Sequence, residues 1–581
     1  MVVRMRYLFT TLWYCVCILS CIDTNLFVYV CLSQALFPSV IALLMIIIFG
    51  SFCFFKKRIP CISIAQIPVI ALAAYIFMHG LIIDPEIYKQ GYIVSTLLFM
   101  VVLSQSTQMS FIENNHLEYG IILISAINMI YLLAQSIGVM ESGNPFFDIT
   151  GTTDNPNTAA IALTISIPFI IQKIKQKKYV NCMCLLLALV IFFILVLKCR
   201  TAYLGICAII IYLAIRSPKI KQAIINKVKT KIGIFQISCI AMVFLVLSLL
   251  CYNWKKESAD SRLFIWQRDC EMIISNPFGY GYGKYEVEYN MYQSRYFSNH
   301  RDAYFQSNLA TASSSAYNDI LEHGVQGGVL GGVLYLTFLL FPVYQAHRNK
   351  KKTCFIALLS IVMMSMTNSI YCGISPWIMT ISAMAIGVKD TELRLENSLF
   401  RNFVIVAVSL ISIILLYRNA LLIVSQSELR AYRDEQNYNI EEIRKLYPAI
   451  GTSEVYWRYR AECNERIDKA FAADTCYMEA RKYTSSPLLL YKSSICKEHI
   501  GDYESAVKIL KSAVFMLPKN FSLKYHLMML YDRIGKRRQA KSIANEIIST
   551  QEKMHNDNVH FIKTEAEKYL NNGKNYTHII Y

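Results

Sequence analysis

Two arginines are the residues best suited to do chemistry in this chain. Arg200 stands in Lys198-Cys199-Arg200-Thr201-Ala202 and Arg262 in Ser261-Arg262-Leu263-Phe264-Ile265-Trp266, each beside a long apolar run. A guanidinium is always charged and donates in a planar fork, so two of them could clamp a phosphate or pyrophosphate. The plainer alternative is headgroup anchoring or a structural ion pair. A polar stretch, Gly151-Thr152-Thr153-Asp154-Asn155-Pro156-Asn157-Thr158-Ala159, precedes another apolar run. Asn155 and Asn157 either cap the helix that follows or aim amide donors at a polar ligand. Asn276-Pro277-Phe278-Gly279-Tyr280-Gly281-Tyr282-Gly283 predicts a tight turn. It is no dinucleotide fingerprint, because no strand–turn–helix unit surrounds it. Gly327, Gly328, Gly331 and Gly332 allow close helix packing. Cys182 and Cys184 have C-x-C spacing inside an apolar run with no partner pair, so no zinc site is expected. Of the 18 cysteines, all but Cys463, Cys476 and Cys496 lie at or before Cys372, mostly in apolar runs where Cys acts as a small hydrophobe.

The elements that must position these residues follow from composition. Of 581 residues, 55% are apolar and 17% charged, and the mean hydropathy is +0.37. That excludes an ordinary soluble enzyme and a disordered chain. Thirteen apolar segments read as membrane spans: 7–22, 31–54, 63–83, 91–105, 117–140, 157–174, 179–198, 200–215, 232–254, 327–346, 354–372, 374–388 and 403–424. The net charge of +18 comes from short basic loops such as Lys173–Lys178, Arg216–Lys231 and Arg348–Lys352, all on one side of this array. That side is expected to be cytoplasmic, and a nucleic-acid role is not expected. The loop 255–326 and everything from Ser425 onward then lie on the outer side. The expected fold class is all-α: a polytopic helical membrane domain over 1–424, with the long loop 255–326, and a soluble α-helical repeat domain over 425–581.

The tail repeats with a period of 34. Gly501 and Gly535 share that spacing, as do Ala506 and Ala540, with Ala513 and Pro518 completing the unit. This resembles tetratricopeptide repeats, with Gly between two helices and Ala where they cross. One period earlier stands Ala472, but Ile467 occupies the glycine position, so that unit reads as degenerate. An ordinary helical hairpin domain is the alternative. Either way the tail is expected to dock a protein partner rather than to do chemistry.

Taken in order, several pieces resemble the O-antigen ligase and polymerase superfamily of bacterial envelope glycosyltransferases. They are Asn155-Pro156-Asn157, Arg200-Thr201-Ala202, Arg262 with Trp266, Pro277 with its glycines, and Tyr317-Asn318 followed after nine residues by Gly328 and then Gly331. The ligase pattern has His where this chain has Tyr317. The resemblance covers roughly 90–390.

The resemblance implies a GT-C-like membrane enzyme in the bacterial inner membrane, with its tail in the periplasm. It would transfer a glycan from an undecaprenyl-pyrophosphate carrier to an acceptor, without metal or other cofactor. The acceptor would be lipid A core for a ligase, another carrier-linked glycan for a polymerase, or a protein for an O-oligosaccharyltransferase. Arg200 and Arg262 would hold the pyrophosphate, with Asn155, Asn157 and Trp266 in the substrate site. Tyr317 would stand in for the acceptor-activating His, and Asn318 would orient a substrate. Glu322, His323 and His300 lie in the same loop and could supply a base; the alternative is that they are solvated surface. A transporter of lipid-linked glycans would fit the span number, but no internal repeat between halves is seen and the polar residues gather at one face rather than at the midplane. A noncatalytic membrane anchor for the tail is disfavoured because one span would be enough.

Overall fold

The computed structural model describes residues 2–23, 26–27, 32–56, 62–83, 87–216, 256–300, 304–388, 392–393, 398–436, 438–551 and 557–572. They form helices, apart from loops and one antiparallel pairing of Ile62–Ser63 with Glu392–Leu393. Two compact units emerge: residues 1–254, 275–283 and 315–431, and residues 255–274, 284–314 and 432–581.

The first unit contains α1 (Val2–Leu19), α2 (Leu32–Lys56), α3 (Ile67–Ile82), α4 (Ile87–Gln108), α5 (Asn114–Ser136), α6 (Pro156–Lys175), α7 (Val180–Val196) and α8 (Arg200–Arg216). Helices thus occupy eight of the first nine expected spans; the ninth, 232–254, lies outside the described residues. Two further helices belong to the long loop: α9 (Lys256–Ser275) and α10 (Tyr285–Asn299), followed by the single turn α11 (Tyr304–Ser307). The first unit resumes with α12 (Asp319–Arg348), α13 (Lys352–Ser365), α14 (Ile374–Gly387) and α15 (Ser398–Asp434). Among the described residues, α2, α5, α6, α12 and part of α15 are long and apolar enough to cross a membrane.

Helix α6 lies at the centre of this unit, packed against α5, α7, α8, α13 and α14. Pro156 begins it, where a missing N–H is harmless, and Asn155 caps it, its side chain accepting from the Asn157 amide at 2.9 Å. Polar groups within the apolar interior are paired, as burial demands. Lys173, fully buried, bonds Glu118 and Asn115, and the Trp377 indole donates to Thr96 at 2.9 Å.

Two expected boundaries move. Helix α12 begins eight residues before position 327, because Asn318 caps it by accepting from Ile320 and Leu321. Helix α13 stops at Ser365 instead of running to 372. Asn318, Asp319 and Glu322 capture the backbone and side chains of 366–371 and hold them out of a helix.

The second unit joins α9, α10 and α11 to the tail. The expected division at 424/425, with the loop assigned to the membrane part, therefore falls differently. The reason is specific bonding: Gln293 donates to the Met516 carbonyl at 2.8 Å, Ser294 to Ser512 at 2.8 Å, and Thr484 to Glu286 at 2.6 Å. After α16 (Ile440–Lys445) and α17 (Tyr447–Ile450), the tail pairs α18 (Glu454–Arg466) with α19 (Ala470–Ala480), α20 (Pro487–His499) with α21 (Tyr503–Met516), and α22 (Phe521–Arg533) with α23 (Arg537–Ser549); α24 (Asp557–Asn572) packs on the last pair.

Each pair turns in the same way. Gly501 has φ +82° and Gly535 φ +77°. In both turns the residue after glycine reaches back to close a Schellman motif: Asp502 N to Lys497 O at 2.9 Å and Lys536 N to Tyr531 O at 2.8 Å. The first turn repeats this geometry with Asp468 (φ +53°) in the left-handed position and Lys469 N bonding Asn464 O at 3.0 Å. The earliest unit is therefore 33 residues long rather than 34. Its fully buried helix-crossing alanine is Ala473, not Ala472.

Candidate functional site

Four helices of the first unit begin at one place. Asn155 and Asn157 form the start of α6, half-buried, and the Cys199 thiol reaches the Asn157 carbonyl at 3.9 Å. That brings the start of α8, and with it the half-buried Arg200, beside Asn157. One residue on, Thr201 donates to the Thr367 carbonyl at 3.5 Å and accepts from the Thr367 hydroxyl at 3.3 Å. Met366, next to Thr367, accepts from the Asn318 amide at 3.1 Å, which fixes the start of α12. Gly373, ahead of α14, leaves no room for a side chain: a Cβ there would come 2.5 Å from the Thr158 methyl. Helix N-termini carry partial positive charge. Four of them with one guanidinium make a place suited to an anion.

The polar stretch before α6 is itself held from α5. Gln135 accepts from Thr150 N and Gly151 N at 2.9 and 2.8 Å, and Asn128 accepts from Thr152 N and its hydroxyl at 3.1 and 2.9 Å. The helix-cap reading of Asn155 is the one its side chain displays, and Thr153 braces it by donating to the Asn155 carbonyl at 2.9 Å.

Tyr317 is half-buried and left-handed (φ +51°). Asn318 uses its carbonyl oxygen twice, as the cap of α12, and one amide N–H on Met366. Glu322 and His323 are not solvated surface. They sit on the first two turns of α12 at 2% and 1% exposure. Both Glu322 oxygens are engaged: Oε2 accepts from Ala316 N at 3.0 Å and Ser369 Oγ at 2.8 Å, and Oε1 from Tyr371 at 2.5 Å. His323 stacks on Tyr335 with ring centroids 3.9 Å apart and approaches the Tyr282 hydroxyl at 3.4 Å. One turn earlier the fully buried Asp319 accepts from Ile370 N at 2.9 Å and Tyr335 at 3.0 Å. Asp319, Ser369, Tyr371 and Gln326 were not singled out from the sequence. The available signal was acidic residues three apart at a helix start, next to a run that breaks at Asn368-Ser369.

Below this network α12 kinks at Gly328 (φ 68°, ψ −171°), which only glycine adopts comfortably. The glycine-rich turn 276–283 docks into the kink. Val329 N bonds Pro277 O at 3.0 Å, Tyr280 N bonds Val325 O at 3.0 Å, and Gly281 N bonds Gln326 O at 2.9 Å. His79 reaches Phe278 O at 2.9 Å and Tyr75 reaches Gly327 O at 2.5 Å, so α3 braces the same turn.

In the second unit, Arg262 and Trp266 are half-buried on α9, one turn apart. Arg268, on the same helix, is buried between the rings of Phe264 and Tyr296 and bonds Glu271 at 2.5 Å. His300 follows α10 and stacks on Tyr296 at 4.5 Å. With Lys511, Lys524, Tyr531 and Glu546 it lines a cleft of about 470 Å³. The structure thus brings Asn155, Asn157, Arg200, Tyr317 and Asn318 together in one unit and sets Arg262 and Trp266 on the other. Among the described residues no cluster of His, Cys, Asp and Glu could hold a metal ion.

The profile of the O-antigen ligase family matches residues 183–336. That stretch contains Arg200, Arg262, Trp266, Tyr317, Asn318 and Gly328 and supports a role in glycan transfer. No curated protein matches the chain.

Proposed function

We propose that this protein transfers a glycan from an undecaprenyl-pyrophosphate carrier to an acceptor hydroxyl at the outer face of the bacterial inner membrane, as O-antigen ligases do. The observation that carries the reading is the meeting of four helix N-termini in the unit that holds Arg200 and Tyr317; the starts of α8 and α12, with Arg200 and Tyr317, lie inside the stretch matched by the ligase family profile. A pyrophosphate leaving group is already activated. Catalysis is then mainly charge stabilisation and positioning, which fixed dipoles and a guanidinium supply. Arg200 holds the pyrophosphate, and Tyr317 meets the acceptor. The thirteen-span topology, with the tail in the periplasm, puts these groups on the side where lipid-linked glycans are displayed. The tail is read as a tetratricopeptide-like partner-docking domain.

The test is a deletion strain, with envelope glycans resolved by gel and mass spectrometry, complemented by Arg200→Ala and Arg200→Lys. Full-length glycan stranded on its carrier supports ligation, and the acceptor left bare identifies it. Single units on the carrier or acceptor would instead make the enzyme a polymerase. Arg200→Ala is expected to lose at least about 100-fold in transfer, the usual effect of removing a charge-stabilising donor. Arg200→Lys should recover little, since a point charge cannot replace the fork. Unchanged glycans on deletion would overturn the reading.

A further inference from the structure

Resting on the glycan-transfer reading, the geometry points to Glu322 as a positioning residue. We propose that its buried carboxylate, with Asp319 one turn earlier, fixes the segment 366–372 and thereby sets Tyr317 relative to Arg200. Glu322 does not touch the proposed substrate site. It holds the two chain segments that do.

On one side, Oε2 accepts from the backbone of Ala316, the residue immediately before Tyr317. On the other, it accepts from Ser369, while Oε1 accepts from Tyr371. Gln326 donates to the Tyr371 hydroxyl at 2.9 Å and accepts from Gly283 N at 2.5 Å, so the network continues into the glycine-rich turn. Asp319 takes the amide of Ile370 between those two partners. Two residues before Ser369, Thr367 bonds Thr201, the neighbour of Arg200. A chain of direct bonds therefore runs from Ala316 through Glu322 and 367–371 to Thr201. Tyr317 is left-handed, a conformation a tyrosine holds only where its surroundings impose it. The Ala316–Glu322 bond closes the short loop that contains it.

A glutamine can rebuild most of this network. With its carbonyl at the ε2 position it still accepts from Ala316 and Ser369, and its amide can donate to the Tyr371 oxygen. An alanine can rebuild none of it. The conservative and the truncating variant therefore separate bonding from charge.

The experiment compares full-length wild type, Glu322→Gln and Glu322→Ala in detergent. Two readouts are taken. One is transfer kinetics with a lipid-linked glycan donor. The other is the alkylation rate of Cys372, which is exposed with its sulfur 3.8 Å from Glu322 Oε1, read by peptide mass spectrometry. Glu322→Ala is expected to lose about 100-fold in turnover, the effect of an ångström-scale misplacement, with donor KM little changed. Its Cys372 is expected to react faster than that of Glu322→Gln, which lacks the same charge but keeps the bonds. Glu322→Gln is expected to stay within several-fold of wild type. Equal turnover and equal Cys372 reactivity in the two variants would overturn the proposal. If Glu322→Ala does not fold, Ser369→Ala removes one bond to Glu322, and Tyr371→Phe removes one to Glu322 and one from Gln326; both are expected to lower turnover at unchanged donor KM, and wild-type turnover in both would overturn it. If wild type itself transfers no glycan, the functional reading fails while the Cys372 comparison still decides the positioning.

Discussion

Gly328→Ala should break the docking of the glycine-rich turn. The residue lies at φ 68°, ψ −171°, and placing a side chain there costs about 1–3 kcal/mol in backbone strain alone. A Cβ would also stand 2.1 Å from the Pro277 carbonyl oxygen and 2.6 Å from the Phe278 carbonyl carbon. These are backbone atoms and cannot swing aside, so the turn must lift. Lifting it breaks the bonds of Tyr280, Gly281 and Val329 across the kink, each worth about 1 kcal/mol. The sum is about 4–6 kcal/mol. Gly332→Ala is the matched control, because its Cβ would meet the nearest atom, Gly324 Cα, at an ordinary 3.4 Å. On an interior helical position, alanine even gains up to about 1 kcal/mol. Thermal unfolding of the full-length protein in detergent should place Gly328→Ala on the order of 10 °C below wild type and Gly332→Ala at or slightly above it. Equal melting of Gly328→Ala and wild type would refute the reasoning.

In the tail, Lys524 is buried with Glu546 at 2.7 Å, and burial pulls its ammonium below the ordinary lysine range. The folded state thus binds its proton less well than the unfolded chain. This group therefore destabilises at low pH, and the penalty fades as pH rises through the folded value towards about 10.5. Lys524→Met should melt at least as high as wild type at pH 7, and the gap should narrow towards pH 10; a variant that melts well below wild type at pH 7 would contradict this. Gly501→Ala and Gly535→Ala meet no atom within 4 Å, so only left-handed strain of about 1–2 kcal/mol each is expected. Denaturant midpoints should fall modestly and additively, and a loss of the folded tail would show that more than strain is involved. Tyr317→Phe should lower transfer if the hydroxyl meets the acceptor, whereas Tyr317→His should restore the ligase pattern and keep turnover; wild-type turnover in the Phe variant would exclude the hydroxyl.

Helix positions were legible because apolar runs are long and charges mark their ends. Boundaries set by tertiary bonds were not. The run 354–372 reads as one span, yet Asp319 and Glu322, some fifty residues away in sequence, pull its last turn open. The same long-range capture hid the site's framework. Glu322 and His323 looked like loop residues because the apolar run starts later, at Gly327, whereas the cap at Asn318 winds them into α12 and buries them. In the tail the period was legible from glycine and alanine. Asp468 taking the left-handed position was not, since aspartate there leaves no glycine signature.

Alternation of crossings makes one last expectation sharp. Counting the thirteen segments, α6, α8, α12 and α14 are the sixth, eighth, tenth and twelfth, so all four should begin on the same side. Their beginnings are the ones joined through Asn157–Cys199, Thr201–Thr367, Asn318–Met366 and Thr158–Gly373. If α8 crosses, it ends on the far side, and α12 can start beside it only if the chain recrosses an odd number of times between 216 and 319. The segment 232–254, outside the described residues, is the one stretch there apolar enough to do so. Single cysteines placed near 225 and near 258, in a background lacking the exposed native thiols, should therefore label from opposite sides in intact spheroplasts. The basic 225 side should be reached only after permeabilisation. Labelling of both from one side would break the parity and with it the outer placement of Arg200 and Tyr317.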